Sequence, residues 1–158
     1  MVRLNKRWQF LEWFTLKSTS LSSYLLKDRP WKYSLKDCSK MAENSLGYHL
    51  YKYLNDNNID FNPNLIRHDM KHILLGYEMK IKDELRIHTF LIGNKNYNIL
   101  GNIYFLICIM IVPKIVPSLK KDYLRGKQSL QLKNIDLQNY ANHDLKKLQK
   151  KFRIQPLT

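Results

Sequence analysis

The sequence predicts an all-α protein, a single helical domain over residues 1–158 with about seven or eight helices. Three observations carry this reading. Apolar residues recur at three- and four-residue intervals in most segments, the period of a helix face. Only five glycines and five prolines occur, too few for the turns of an all-β chain. No repeat, low-complexity stretch or Pro/Gly/Ser linker divides the chain, and 158 residues suffice for one core.

In chain order, Trp8, Phe10, Leu11, Trp13, Phe14 and Leu16 form an apolar block within Trp8–Leu26, surrounded by Arg3, Lys6, Arg7 and Lys17. This basic, aromatic segment (1–26) reads as a helix packed on the core or lying at a membrane interface. Its hydroxyl-rich composition also fits a transit peptide, but it lacks the apolar centre and small-residue cleavage site of a secretory signal. Arg29-Pro30 breaks the chain. Ser34-Leu35 opens a short helix through Cys38, Met41 and Ala42. Ser45 precedes a second one, on which Leu46, Leu50, Tyr53 and Leu54 share a face. A turn at Asn62-Pro63-Asn64 leads into a helix from Leu65 to Leu75, which Gly76 stops. Another helix spans about Met79–Ile92 and ends at Gly93-Asn94.

Ile103–Val112 is a run of ten residues without a charge, closed by Pro113 and Pro117. Crossing a bilayer takes about 20 residues, so this run reads as a buried core helix or as one wall of a lipid pocket. Leu137, Ala141, Leu145, Leu148 and Phe152 predict one amphipathic C-terminal helix, whose basic last turns suit the helix dipole. Cys38 and Cys108 are too few for a disulfide framework, and Cys108 within its apolar run reads as a buried free thiol.

Against 27 basic residues stand 13 acidic ones, a net charge of +14. Nucleic acid and an anionic membrane surface are both compatible partners. The charges are scattered, with small clusters at Lys120-Lys121, Lys146-Lys147 and Lys150-Lys151, and no zinc-finger or aromatic RNA-binding motif accompanies them. Because apolar segments come with the charge, the membrane surface is favoured and nucleic acid disfavoured.

The candidate chemistry lies in residues 67–84. His68 and His72 are four apart, so a helix sets both imidazoles on one face, with Asp69 at its border. Two nitrogen donors and a carboxylate suit zinc or a similar divalent ion. Glu84 is the fourth candidate. On an uninterrupted helix it would stand ~18 Å from His72, whereas a reversal at Gly76-Tyr77 would bring it back beside the histidines. By itself a His-Asp-x-x-His pattern also arises on ordinary solvated faces. The zincin pattern is similar, but aspartate is one methylene shorter than the glutamate that must reach a metal-bound water. His88 could approach the site from four residues after Glu84, but reads first as a surface histidine. His49 and His143 read as solvated. Arg67 and Lys71 read as a solvated face or as contacts for an anionic head group.

His68, Asp69, His72 and, after eleven residues, Glu84 resemble the signature of the Coq-four family of ubiquinone (coenzyme Q) biosynthesis proteins. Leu26-Lys27-Asp28-Arg29-Pro30 resembles the family's Arg-Pro opening, and Leu35–Met41 its next short helix. Asn44-Ser45-Leu46-Gly47 resembles a later helix start, and Leu145–Ile154 the last helix. The likeness covers about residues 25–90 and the C-terminus. Asp83 replaces the family's usual Gly before the motif Glu. Arg86–Leu91 and Gly93–Asn96 stand where members carry a Lys-Trp-Phe-Glu-like turn and a Gly-Leu-Pro segment.

The resemblance implies a divalent metal, zinc first, on His68, Asp69, His72 and Glu84, at a site built on adjacent helices. It implies a metal-dependent (oxidative) decarboxylase, acting in C1 decarboxylation and hydroxylation of a prenylated quinone precursor, or a lipid-binding scaffold for other quinone-biosynthesis proteins. The implied partners are that precursor or another isoprenoid lipid, a membrane surface bound peripherally, those proteins, and a second copy of the chain. Abundant Lys, Asn and Ile suggest an AT-rich bacterial genome. The implied place is then the bacterial cytoplasm, on the inner face of the membrane, or the matrix side of a mitochondrion.

Overall fold

Eight α-helices and two 3₁₀ turns make up the regular structure of residues 6–25, 31–96 and 99–157, which the computed structural model describes; no strand occurs among them. The helices are α1 (Lys6–Leu25), α2 (Leu35–Ser39), α3 (Leu46–Asp56), α4 (Ile66–Leu75), α5 (Ile81–Gly93), α6 (Ile99–Ile111), α7 (Val116–Gln128) and α8 (Leu145–Lys151). The 3₁₀ turns are Pro113–Ile115 and Leu137–Tyr140. The all-α expectation holds. The Leu26–Pro30 break, and the family-like Arg-Pro opening within it, lie outside the described residues.

Local sequence sets the helix ends. Ser34 caps α2 reciprocally with Asp37: its hydroxyl accepts from the Asp37 amide at 3.1 Å, and its own amide donates to the Asp37 carboxylate at 2.8 Å. Ser45 caps α3 by accepting from the Tyr48 amide at 3.2 Å. Asn62 forms the turn into α4, its side chain accepting from the Asn64 amide at 3.0 Å. Gly76 ends α4 in the left-handed region, at φ 77°.

Two apolar clusters hold the helices. Leu46, Leu50 and Leu54 of α3 pack with Ile66, Met70 and Leu74 of α4, Phe90 of α5, Leu148 of α8 and Phe152. Leu11 of α1, Leu85 of α5, Phe105 and Cys108 of α6, and Leu119 of α7 form the other. Helix α5 contributes to both, and α7 lies tight along it. A side chain at Gly93 would run into the Tyr123 carbonyl, and one at Gly126 into the Phe90 carbonyl. Asn94 then ties the end of α5 to the following loop. Its amide donates to the Gly126 and Leu130 carbonyls at 3.1 and 2.9 Å, and its oxygen accepts from the Leu132 amide at 2.8 Å.

Three expectations need correction. The C-terminal segment is not one helix: Leu137–Tyr140 is a 3₁₀ turn, and α8 begins only after Asp144, which caps it through the Lys147 amide at 2.8 Å. Asp144 and Ser45 lie side by side in an antiparallel bridge, with Leu46 N–H on the His143 carbonyl and Leu145 N–H on the Asn44 carbonyl. Pairing to the start of α3 is what interrupts the helix. Secondly, α6 is not a buried core helix. Phe105 and Cys108 are buried, but Leu100, Ile103, Leu106 and Met110 are exposed. Finally, Pro117 closes nothing; it occupies the first turn of α7, where its missing N–H costs no hydrogen bond.

Candidate metal centre

Helix α4 presents His68 and His72 one turn apart, as their spacing requires, and the left-handed Gly76 lets the chain leave its axis. The connecting loop is fastened at both sides. The Met79 amide donates to the Tyr53 hydroxyl at 2.9 Å, and the Glu78 amide to the Asp83 carboxylate at 3.0 Å. Glu84, in the first turn of α5, thereby returns to the two histidines. Asp83 helps to build that loop.

The donor atoms of His68, His72 and Glu84 all lie within 4.8 Å of one another and form a group able to hold a metal ion. His68 Nε2 and His72 Nε2 are 3.0 Å apart. Glu84 sets Oε2 3.2 Å from His68 Nε2 and Oε1 3.1 Å from His72 Nε2. His72 is fully buried. Its Nδ1 lies 3.1 Å from the Glu78 carbonyl, which only accepts, so Nδ1 carries a proton. In that tautomer the lone pair of Nε2 faces a carboxylate oxygen and a second imidazole nitrogen. Such a convergence of acceptors requires a cation or a shared proton between them.

The electrostatics of the three side chains fit this. Burial works against ionisation of Glu84, but the adjoining His68 and His72 outweigh it and hold the carboxyl well below its usual range. Burial also opposes protonation of His68, yet Glu84 and Asp69 beside it raise its pKa above the ordinary value. Asp69 does not join the converging group. Burial pushes its carboxyl up to about 6, with His68 and His72 pulling the other way.

His88 is half-buried. Its ring lies 5.2 Å from that of Tyr104 and 6.3 Å from that of Phe105, between the site and α6. Burial, with the nearby His68, lowers its pKa to about 4. Tyr104 in turn shares a 2.6 Å hydrogen bond with Thr15 of α1. Neither Tyr104 nor Thr15 was legible as a site neighbour, since both belong to segments read only as apolar. Arg67 is no simple solvated residue: it is half-buried and pairs with Asp136 at 3.5 Å. His143 is exposed, as expected.

A comparison with protein-family models gives no match, and one with curated proteins gives no significant match. The resemblance to the Coq-four family therefore stands on the residues themselves.

The geometry sets the pH dependence of metal binding. A metal on His68 must displace the proton that the raised pKa retains, whereas Glu84 is already ionised. Affinity is expected to fall on acidification, beginning above the ordinary histidine pKa of about 6.5 and steepening to ~10-fold per pH unit for the His68 proton. Competition with a chromophoric chelator between about pH 8 and pH 5.5 measures this slope. A flat profile would exclude His68 as a ligand.

Proposed function

We propose that this protein is a Coq-four-like, metal-dependent factor of isoprenoid-quinone metabolism that works at a membrane surface, with zinc on His68, His72 and Glu84. One observation carries the reading: the two histidines and the glutamate of a His-Asp-x-x-His-(x)₁₁-Glu pattern converge, with nearest donor separations of 3.0–3.2 Å. Two donors on a tetrahedral zinc at its usual bond lengths stand roughly 3.3 Å apart. Three protein ligands would leave one position for substrate, as in catalytic rather than purely structural zinc sites.

The ion would act as a Lewis acid on a ring carboxylate or phenol, supporting C1 decarboxylation of the precursor. The chain's residues supply the rest. The Glu78 carbonyl fixes the orientation of His72, which leaves its Nε2 for the ion. Asp69, with its carboxyl near the site, would help to balance the charge of the ion. His88 and Tyr104 of α6 bring their rings within 5.2 Å of one another, where they would meet an aromatic head group. An apolar exterior beside them suits the prenyl tail. Phe10, Trp13 and Leu16 of α1, with Leu100, Ile103, Leu106 and Met110 of α6, are exposed. Such a surface, with a chain charge of +14, favours an anionic bilayer. Among the described residues no single helix is long and apolar enough to cross one, and α6 turns by 99° into the segment that follows. Peripheral binding is the mode that this arrangement supports.

Two measurements test the proposal. Protein purified from a membrane-containing lysate is expected to carry about one metal per chain and a prenyl lipid in its organic extract, and to turn over a carboxylated quinone precursor. Metal and lipid without turnover would favour a scaffold for other quinone-biosynthesis enzymes; neither, with tight nucleic-acid binding, would refute both. In flotation assays, the double variant Leu106→Asp/Met110→Asp is expected to weaken binding to anionic vesicles by at least ~10-fold, because two apolar side chains are lost and two charges added. Unchanged flotation would remove α6 from the membrane surface.

A further inference from the structure

Away from the metal centre, a cavity of about 300 Å³ opens between α5, α7 and the C-terminal tail. Its polar lining is Arg86, Lys121, Asp122, Arg125, Gln128 and Gln155, and Leu124, Pro156 and Leu157 complete it. Three cations face one carboxylate, and that carboxylate is already engaged. Asp122 accepts from the Tyr77 hydroxyl at 2.8 Å and from Arg86 Nε and Nη2 at 3.1 and 3.2 Å.

Arg125 is in a different condition. Only 8% exposed, it donates from Nε to the Gln155 carbonyl at 2.5 Å and from Nη2 to the Leu75 carbonyl at 2.6 Å. Its guanidinium lies over the rings of Tyr77 and Phe90, at 5.1 and 5.3 Å. Nη1 is buried without an acceptor. Among the described residues no carboxylate pairs with Arg125 or with Lys121. A buried, permanently charged group with neutral acceptors and one unused donor is an arrangement that folded proteins avoid unless a counter-ion completes it.

We infer that this cavity binds a phosphate dianion, carried by inorganic phosphate or by a phosphomonoester head group, between Arg125, Lys121 and Gln128. Arg86 is shared between Asp122 and Asp83, at 3.1 and 3.0 Å, so the cations left without a carboxylate partner are Arg125 and Lys121, the two that an oxyanion would meet. Arg125 offers the N–H groups of Nη1, which have no acceptor, Lys121 a mobile point charge and Gln128 an amide N–H. Tyr77 and the Leu75 carbonyl hold Arg125 in place, so the site needs little rearrangement to fill. The inference is independent of the metal centre, and its readout requires no metal.

The test is calorimetric titration of the metal-free protein with inorganic phosphate and, separately, with short-chain phosphatidic acid, at constant ionic strength. Saturable one-site binding is expected, weakened about 5-fold by Lys121→Ala and at least about 10-fold by Arg125→Lys, which keeps the charge but loses the Nη1 donor. Tighter binding of the phosphatidic acid would identify a lipid head group as the source; equal or tighter binding of inorganic phosphate would identify the free ion. Should Arg125→Lys fail to fold, Lys121→Ala and Gln128→Ala carry the test. No saturable binding of either probe, or binding that these variants leave unchanged, overturns the inference.

Discussion

Replacing His72 by alanine is expected to abolish stoichiometric metal binding and to lower affinity by more than about 100-fold, since loss of a residue that merely supports a ligand already costs 10–100-fold. The size follows from its position. His72 is the fully buried member of the group, faces both other donors at 3.0–3.1 Å, and is oriented from behind by the Glu78 carbonyl. Alanine removes a donor that no neighbouring side chain can replace. It also leaves Glu84, only 16% exposed, without one of its two imidazole partners. A loss of about 2–4 kcal/mol in metal-free stability should accompany it, from the cavity and from the stranded carboxylate. Asp69→Asn is the control. Because Asp69 stands outside the converging group, its affinity should remain within about threefold of wild type, an electrostatic effect only. Metal analysis after gel filtration, with chelator competition for affinity, reads both variants. Full metal occupancy in His72→Ala would remove the site; parallel losses in the two variants would restore Asp69 to the ligand set.

The unequal fates of Asp69 and Glu84 show what the sequence could convey. A four-residue interval fixes the relative direction of two side chains on a helix, so His68 and His72 were legible at once. Asp69, adjacent in sequence to His68, is rotated by about 100° from it, and neighbourhood in the chain was a poor guide to convergence. Glu84 is sixteen residues from His68 and was legible only through the resemblance to the Coq-four signature and through Gly76, whose left-handed conformation ends α4. His88 escaped because its surroundings come from α6, and no spacing within α5 reports what packs against it. Helix α7 escaped for a related reason. Its buried residues are Leu119, Asp122, Arg125 and Gly126, so its inner face carries charges and a glycine where an apolar stripe would be sought. The C-terminal segment erred in the opposite sense: apolar residues at helical intervals belong to a 3₁₀ turn and to α8, because the bridge at Asp144 is a tertiary feature.

That close packing of α7 on α5 leads to the other large expected effect. Gly126→Ala should destabilise the protein by about 3 kcal/mol or more, and lower the melting temperature by roughly 10 °C. Helix propensity alone predicts the opposite, a gain of about 1 kcal/mol from replacing glycine inside a helix. Contact decides the sign. A methyl group at position 126 would collide with the Phe90 carbonyl and stand 2.9 Å from its carbon and 3.1 Å from the Asn94 nitrogen. These are backbone atoms of α5, so no rotamer change can relieve the clash, and the helices must move apart. Gly93 makes the reciprocal approach to the Tyr123 carbonyl, so separation at one point loosens both. The shift also carries Glu84, two turns earlier on α5, away from histidines fixed on α4. Metal affinity should therefore fall by at least ~10-fold in the fraction that still folds, consistent with the sensitivity of such sites to their supporting residues. Gly76→Ala offers a contrast, because added atoms there would meet only the tip of Leu157, at 3.6 Å. Its cost should be the 1–2 kcal/mol of a left-handed alanine, and Gly76→Asn should recover part of it. Thermal melts and metal titrations on the three variants distinguish a steric requirement from a conformational one. A Gly126→Ala protein within about 0.5 kcal/mol of wild type would mean that α5 and α7 do not pack this closely.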